Sequence, residues 1–383
     1  MIAPRASLVL ALASCCTLTA AAHAKDITLP PDADNQFCSV TQGIGLVRVT
    51  VQYNSPDVHA PDGADRAGKI WGTLVPYGLH DLGYNNCTQC PWRAGANENT
   101  VFTVSHPVKI EGKPLPAGSY GLHMIAGKDE WTVIFSKNST SWGSFWYDPA
   151  EDQLRVQVKP AECEYHEWLT YEFTDRRSAR ATVALKWERL QVPITITVDD
   201  MPDLYVARLK EEFRNAQAFR GWYTWRDAAE YCLSNHTHLD QGLAWAQEAV
   251  SRQGTGVENF QTLATLGLLQ IETGQAAEGR KTLDRAIAHP TADPVQVHQM
   301  ARGLQGAGKN DEARGLFLAN AKRFPNQWPV NVGLARAYAT SGDMKKAVTY
   351  ANKAMAQAPD EQSKRNLEAL IKQFEATPTA ATR

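Results

Sequence analysis

The chain has 383 residues, which exceeds the length of one ordinary domain and indicates two. Apolar residues make up 43% of it, enough for sizeable cores, and 39 basic side chains stand against 41 acidic ones, a formal net charge of −2. A nucleic-acid-binding protein needs a basic face, and a membrane-surface protein of the polybasic kind needs clustered Lys and Arg. The near balance of charge argues against both classes.

Residues 1–24 have the order of a secretory signal peptide. A basic residue precedes the apolar run 8–18, and Ala22-His23-Ala24 forms a small-x-small cleavage site. We expect cleavage after Ala24 and a mature protein in the periplasm or outside the cell. Leu12-Ala13-Ser14-Cys15 also resembles a lipoprotein cleavage site, so a lipid anchor at Cys15 is the second-ranked alternative. No other stretch is apolar enough to predict a transmembrane segment.

Residues 25–200 are dominated by strand patterns. Side chains at every second position are apolar, which predicts strands with one buried and one polar face. These apolar faces are Val47, Val49 and Val51; Tyr120, Leu122 and Met124; Trp131, Val133 and Phe135; Leu154, Val156 and Val158; Ala181, Val183, Leu185 and Trp187; and Val192, Ile194, Ile196 and Val198. Turn signals such as Gly112-Lys113-Pro114 separate them. About eight to ten short strands predict an all-β antiparallel sandwich or a small barrel.

Residues 203–375 change to a helical period and contain a repeat. Gly274, Gly308 and Gly342 are 34 residues apart, as are Pro325 and Pro359. A 34-residue helix–turn–helix unit with Gly at the turn is the tetratricopeptide pattern. The sequence therefore predicts an all-α tetratricopeptide-like domain.

The extent of this predicted repeat domain follows from the same spacing. Helices are expected over 203–215 and 223–233, and three repeat units over 259–359. The helix 239–251 has the pattern of a degenerate first unit, and 361–374 that of a polar capping helix. The tail 376–383 is expected to be disordered.

Five cysteines remain after the expected cleavage, which favours disulfides in an oxidising compartment. Cys87 and Cys90 form a C-x-x-C pair inside an inserted loop, 79–91. We predict a disulfide, either local or linked to Cys38. The alternative is zinc held with Cys38 and His80, but zinc usually takes four ligands and the spacing supplies only one pair. We therefore predict no metal site and no cofactor.

Five further stretches carry a family resemblance. They are Lys69–Gly72, the segment Trp92-Arg93-Ala94-Gly95-Ala96-Asn97-Glu98-Asn99-Thr100, and a set of later motifs: Pro116–Leu122, Trp131–Phe135 and Ser141–Phe145. The ordered set resembles the domain-of-unknown-function 2911 family of exported bacterial proteins, over most of residues 34–198. The resemblance implies a β domain and export, and it brings no established activity.

Arg93, Asn97 and Glu98 crowd a loop of small residues and form the main candidate site. Glycine and alanine let a backbone approach a ligand closely, and a polar cluster on a loop is a common form of binding site. The guanidinium is suited to an anion, the amide to orientation and the carboxylate to accepting a hydrogen bond or acting as a base. The structural alternative is an Arg93–Glu98 pair with Asn97 holding the turn.

Further site candidates lie on neighbouring segments. His123 projects from the face opposite Tyr120, Leu122 and Met124 and, with Glu98, is the best acid–base candidate; the alternative is an ordinary surface histidine. Trp142 and Tyr147 belong to an aromatic loop that can stack on a flat ligand or plug one end of the core.

We therefore expect a non-enzymatic, exported two-domain binding protein. Its β domain would bind a small polar ligand through Arg93, Asn97, Glu98, His123, Trp142 and Tyr147, and its repeats would bind a protein or peptide partner. The alternative is an exported hydrolase or isomerase with Glu98 and His123 as its catalytic acid–base pair.

Overall fold

A computed structural model of the chain describes residues 35–60, 63–85 and 87–376. These residues fall into two compact units. The first contains the described residues up to Gln42, Val49–Arg176 and Ala181–Ile196, and the second contains Gly43–Arg48, Arg177–Arg180 and the chain from Thr197 onward. The expected signal peptide, Cys15 and residues 377–383 of the expected tail lie outside the described residues, whereas Ala376, the first residue of that tail, is helical.

The described part of the N-terminal half contains ten strands, as the alternating pattern predicts. The strands are β1 (Gln36–Ile44), β2 (Val47–Ser55), β3 (Ala96–Val104), β4 (Val108–Ile110), β5 (Lys113–Leu115), β6 (Gly118–Ile125), β7 (Trp131–Ser136), β8 (Asp152–Val158), β9 (Ala161–Thr174) and β10 (Arg180–Thr197). They build two sheets with the orders β1-β2-β3-β6-β7-β8 and β5-β4-β10-β9. The predicted antiparallel all-β fold is confirmed.

The side chains of the two sheets share a core. Tyr53 of β2 and Tyr171 of β9 meet edge to face with ring centroids 4.8 Å apart. Val49 and Val51 of β2 are fully buried, as the period-two pattern requires. The two separate strands expected over 181–187 and 192–198 are one strand, because β10 runs through both with register shifts between Lys186 and Leu190 instead of a turn.

Strand β6 departs from the expected polar face. Leu122 and Met124 are fully buried on one side, and His123 on the other side is also buried. The loop 138–147 covers that side, because the side-chain amide of Asn99 donates to the Asn138 carbonyl (3.1 Å) and Ser144 bonds His123. The face that carries His123 is thus interior.

The C-terminal half is helical. Its helices are α1 (Met201–Glu212), α2 (Trp222–Ser234), α3 (Leu239–Ser251), α4 (Phe260–Glu272), α5 (Ala276–Ala288), α6 (Pro294–Gly306), α7 (Asn310–Arg323), α8 (Trp328–Thr340), α9 (Met344–Ala356) and α10 (Glu361–Ala376). Pairs α4–α5, α6–α7 and α8–α9 are the three predicted repeat units. Gly274, Gly308 and Gly342 adopt φ of 87°, 78° and 82° at the turns between paired helices, a conformation that favours glycine.

The repeats begin with well-defined helix starts. Asn259 and Thr262 form a capping box at α4, and the Asp293 carboxylate accepts from the backbone N–H groups of Val295 and Gln296 at α6. Leu367, Ile371 and Phe374 of α10 are buried, as a capping helix requires. Among the helices that the structure describes, none combines the length and apolar character needed to cross a bilayer.

Candidate functional site

The segment from Trp92 to Thr100 is held by several backbone contacts. Trp92 bridges Met124 of β6 through two backbone hydrogen bonds of 2.8 Å. The Ala94 carbonyl accepts from the Thr100 hydroxyl (3.0 Å) and from the Tyr171 hydroxyl (2.9 Å). Because β3 begins at Ala96, Asn97 and Glu98 lie at the start of a strand rather than in the loop before it.

Arg93 is half-buried and lies against the aromatic loop. Its Cζ lies 5.2 Å from the centre of the Phe145 ring, and its Nη1 donates to the Asn97 carbonyl. Gly143 has φ of 60°, a conformation that favours glycine, and a Cβ there would lie 2.3 Å from Arg93 Cζ, so a side chain at this position would displace the guanidinium. Burial lowers the pKa of Arg93, and the charge of Glu98 partly offsets that effect.

The side chains of Glu98 and Asn97 bond to residues other than Arg93. The exposed Glu98 carboxylate accepts from Asn54 Nδ2 at 2.7 Å. The Asn97 side-chain oxygen accepts from Asn35 Nδ2 at 3.3 Å, and Asn97 has φ of 55°. In the described part of the chain, no salt bridge joins Arg93 to Glu98. The predicted cluster is therefore close together, but its carboxylate does not neutralise its guanidinium directly.

His123 is 2% exposed and packs against the covering loop. Its Nδ1 lies 2.9 Å from the Ser144 hydroxyl, and its ring contacts Tyr147 edge to face at 5.3 Å. Burial, followed by the charge of Arg93, lowers the pKa of His123 to about 3. The imidazole is neutral near pH 7 and is a weak base. The alternative of an ordinary surface histidine is wrong, because the loop 138–147 covers the ring.

Trp142 and Tyr147 have different environments, although both belong to the aromatic loop. Trp142 is half-exposed, at 50%. Tyr147 is buried and donates to both oxygens of Asp152, at 3.1 and 2.9 Å, while Arg155 Nη2 donates to its hydroxyl at 2.7 Å. Burial raises the pKa of Tyr147, and Asp152 adds to the shift. Tyr147 therefore packs at one end of the core, whereas the side chain of Trp142 is accessible to solvent and to a ligand.

The inserted loop contains a disulfide between Cys87 and Cys90. Both residues are buried against Ile134 and Tyr147, so the bridge anchors the insert to the covered face of the sheet. Cys38 is a free thiol, and its predicted linkage to this pair is wrong, because the two cysteines of the insert pair with each other. No group of metal-ligating side chains is found among residues 35–60, 63–85 and 87–376.

A cavity of about 280 Å³ adjoins Arg93. Trp92, Trp187, Ser144, His80 and Arg66 are among the residues that line it. Of the predicted site residues, only Arg93 reaches it directly; Asn97, Glu98, His123, Trp142 and Tyr147 do not line it. His123 is joined to its wall through Ser144.

The helical half of the chain contains two further hollows, on the face built from the first helix of each pair. One, of about 480 Å³, is lined by α2, α4 and α6, and the other, of about 470 Å³, by α6, α8 and α10 with Met344. Arg302 and Arg336 line the second hollow and occupy equivalent positions of consecutive repeats. The sequence places these arginines 34 residues apart, and this spacing is the signal that predicts a shared face.

The packing spacing of Met300, Phe317 and Tyr338 in the sequence predicts core residues of the repeats. Phe317 is 2% exposed, and Met300 packs against the same buried cluster. Tyr338 packs against the cluster of α8, α9 and α10. Their interpretation as packing residues is confirmed.

Comparison with known families identifies the β half. Residues 36–196 match the family model described as protein of unknown function (DUF2911). The resemblance drawn from the motifs between Lys69 and Phe145 is thereby confirmed for this part of the chain. No curated protein matches the chain.

Solved structures similar to the helical half include two that are described as TPR proteins, YrrB and TTC0263. YrrB is 19% identical, with 44% of this chain and 84% of that chain covered and a TM-score of 0.27. TTC0263 of Thermus thermophilus is 13% identical, with 46% and 92% covered and a TM-score of 0.30. MamA of Desulfovibrio magneticus is 13% identical, with 40% and 93% covered and a TM-score of 0.25. The assignment of tetratricopeptide-like repeats rests on this chain's own helix pairs and 34-residue spacing.

Proposed function

We propose that this chain is an exported binding protein whose repeats hold an acidic segment of a protein partner. The observation that carries the proposal is the pair Arg302 and Arg336 in the hollow between α6, α8 and α10. Arginine pairs favour carboxylates because the planar guanidinium can donate two parallel hydrogen bonds. A carboxylate from the partner, on a side chain or at its C-terminus, would complete this arrangement.

The arginines of this hollow form no ion pair with any residue that the structure describes. Within the described ranges, the side chain of Arg302 has no hydrogen bond either. The Nη1 group of Arg336 donates to Gln305 Oε1 at 3.3 Å, and its Nε is buried without a partner. Burial lowers the pKa of Arg336, and the nearby charge of Arg302 lowers it further. No aspartate or glutamate is among the residues that line the hollow.

The neighbouring hollow offers a contrast within the same array. Arg226 there pairs with Asp227 (2.7 Å) and with Glu230 (3.2 Å), and Lys309 pairs with Glu272 (2.6 Å). Its cations are therefore already neutralised. This difference favours the hollow of Arg302 and Arg336 as the point where a partner's carboxylate binds.

The test uses the full chain and two labelled ten-residue peptides, one rich in Glu and Asp and one with Gln and Asn in their place. Fluorescence polarisation should show at least tenfold tighter binding of the acidic peptide, weakened by salt. Arg302→Gln together with Arg336→Gln should remove the preference, whereas Arg280→Gln on the exposed side of α5 should not. Equal binding of both peptides, or a double variant that binds as the wild type does, would contradict the proposal.

We further propose that the β domain binds a small polar ligand in the cavity beside Arg93. The closeness of Arg93 to a cavity favours this role, and the volume of about 280 Å³ is just below the roughly 300 Å³ at which small-molecule sites begin. The acid–base alternative has less support, because the exposed carboxylate of Glu98 bonds to Asn54 and burial lowers the pKa of His123 to about 3. Native mass spectrometry of the purified protein, before and after mild unfolding, tests for a retained small molecule.

Export remains part of the proposal and has its own test. The signal-like order of residues 1–24 supports it, and the buried Cys87–Cys90 disulfide agrees with an oxidising compartment. Cell fractionation should find the protein outside the cytoplasm, with Lys25 at the mature N-terminus. A mature chain beginning with a modified Cys15 would instead establish the lipid-anchored alternative.

A further inference from the structure

The cavity beside Arg93 is lined by cationic and donor groups. Two arginines, Arg66 and Arg93, line it together with His80, Asn35 and Ser144, and among the residues that the structure describes no aspartate or glutamate does. A cleft lined by one sign of charge concentrates ligands of the opposite sign. The lining therefore favours an anion.

The two arginines differ in what neutralises them. Arg66 pairs with the buried carboxylate of Asp57 at 3.6 Å. Arg93 has no ion pair within residues 35–60, 63–85 and 87–376, and its one hydrogen bond there goes to the carbonyl of Asn97. A half-buried guanidinium is costly without a counter-charge, because burial disfavours its charged form. Arg93 is thus the cation to which a bound anion would contribute most.

The rest of the lining includes donor groups and apolar walls. Trp187 is 2% exposed, and its indole N–H has no hydrogen-bond partner among the described residues. The Nδ1 of His80 is likewise buried without one. Leu74 and Val75 supply aliphatic surface, and the Trp92 ring lies nearly parallel to that of Trp187, at 15°. Both nitrogens, of Trp187 and His80, are themselves fully buried and so do not face the cavity; beyond Arg93, the surface that a ligand would contact is therefore largely apolar.

We infer that the β domain binds a small monocarboxylate with a compact apolar body, its carboxylate against Arg93 and its body between the tryptophan and aliphatic walls. This inference rests on the proposed small-ligand function and narrows it to one chemical class. The volume of about 280 Å³ limits the ligand to the size of a single ring or a short branched chain. The apolar wall excludes a bare inorganic anion as the preferred occupant.

Isothermal titration of the full chain with three probes tests the class of ligand. Benzoate supplies a carboxylate on a ring, benzamide is its neutral isostere, and inorganic phosphate is an anion without an apolar body. We expect benzoate to bind at least ten times more tightly than either of the others. Quenching of tryptophan fluorescence should follow the same curve, since Trp92 and Trp187 line the cavity.

Three variants locate the binding. Arg93→Gln should weaken benzoate binding at least tenfold, and Ala96→Met, which enlarges a lining residue without removing a charge, should weaken it as well. Arg189→Gln is the matched control, because Arg189 also lies over an aromatic ring, Tyr165, but is exposed and outside the cavity. Thermal melting of each variant shows whether it is folded.

The results distinguish the inference of a monocarboxylate ligand from the broader proposal that the cavity binds some small molecule. Tight benzoate binding that is lost in Arg93→Gln and Ala96→Met but retained in Arg189→Gln supports the inference. If benzoate and benzamide bind equally and Arg93→Gln has no effect, the ligand need not be an anion. That result overturns the inference but leaves the proposal of a small-ligand site. Tighter binding of phosphate than of benzoate would contradict the inference that the ligand has an apolar body. Binding of none of the three probes would overturn the whole inference. The proposal of a small-ligand site would then still be tested by the native mass spectrometry.

Discussion

The hydroxyl of Ser144 and the Nδ1 of His123 lie 2.9 Å apart, and this bond joins the wall of the cavity to a buried strand. Ser144→Ala would leave the imidazole without that partner, and an unsatisfied buried polar group costs about 1–3 kcal/mol. Urea unfolding should show this loss. Ser119→Ala is the control, since its bond to Thr103 (2.9 Å) is exposed and should cost less than about 0.5 kcal/mol. Equal losses in the two variants would mean that burial of the bond is irrelevant.

The buried imidazole of His123 makes stability depend on pH. An unfolded histidine has a pKa near 6.5, and burial lowers that of His123 to about 3, with the Arg93 charge adding to the shift. Between these values the unfolded chain binds a proton that the folded chain does not, so the free energy of unfolding falls as the pH falls. From pH 7 to pH 5 the loss from this group should be about 2 kcal/mol.

His123→Gln isolates this contribution because glutamine does not titrate. Urea unfolding at pH 7 and pH 5 should show a smaller drop for the variant than for the wild type. His298 in the repeats has its pKa lowered to about 4 by burial and nearby arginines, so His298→Gln serves as the comparison for the second unit. A pH dependence of the β-domain transition that His123→Gln leaves unchanged would show that the imidazole is not buried in its neutral form.

The disulfide of the insert should stabilise the β domain. In the chain-entropy account, a bridge that closes so short a loop contributes about 2 kcal/mol. Cys87→Ser with Cys90→Ser should therefore lower the melting temperature, and a reducing agent should lower that of the wild type but not that of the variant. Cys38→Ser is the control, because Cys38 is a free thiol. Identical melting of the wild type with and without reductant would contradict a structural bridge.

Elements with a regular period could be predicted from the sequence. Helix α3 has the bounds 239–251 that the pattern indicated, and Val47, Val49 and Val51 are buried as alternation requires. Each residue in such an element has its neighbours within one turn or one strand. The spacing of apolar residues along the sequence is therefore nearly sufficient to predict such an element.

The site depends on contacts that local spacing does not contain. Arg93 and Glu98 are near each other in the chain, yet Glu98 bonds Asn54 of another strand. The cavity is lined by residues as distant in sequence as Arg66 and Trp187. The loop that buries His123 has no periodic pattern of apolar residues from which its packing on a sheet could be predicted. The cluster of Arg93 was predictable from composition, but its cavity and its lack of a counter-charge were not.

A departure from the repeat pattern has a steric explanation that can be tested. Gly279 stands where the repeat commonly has alanine, and a Cβ there would lie 2.5 Å from the Gly267 carbonyl oxygen and 2.7 Å from Ile271 Cγ1. The close approach of α4 and α5 therefore requires glycine, and overpacking of this kind costs about 1–3 kcal/mol. We expect Gly279→Ala to lower stability in urea unfolding.

Gly303 is the matched control for this substitution. It lies in α6, and a Cβ there would meet no atom within 4 Å beyond its own helix. Since alanine is favoured over glycine in a helix by about 0.5–1 kcal/mol, Gly303→Ala should raise stability. Opposite signs for the two variants would establish that α4 and α5 pack through Gly267 and Gly279; a gain in stability for Gly279→Ala would show that these helices are farther apart, with room for an ordinary alanine.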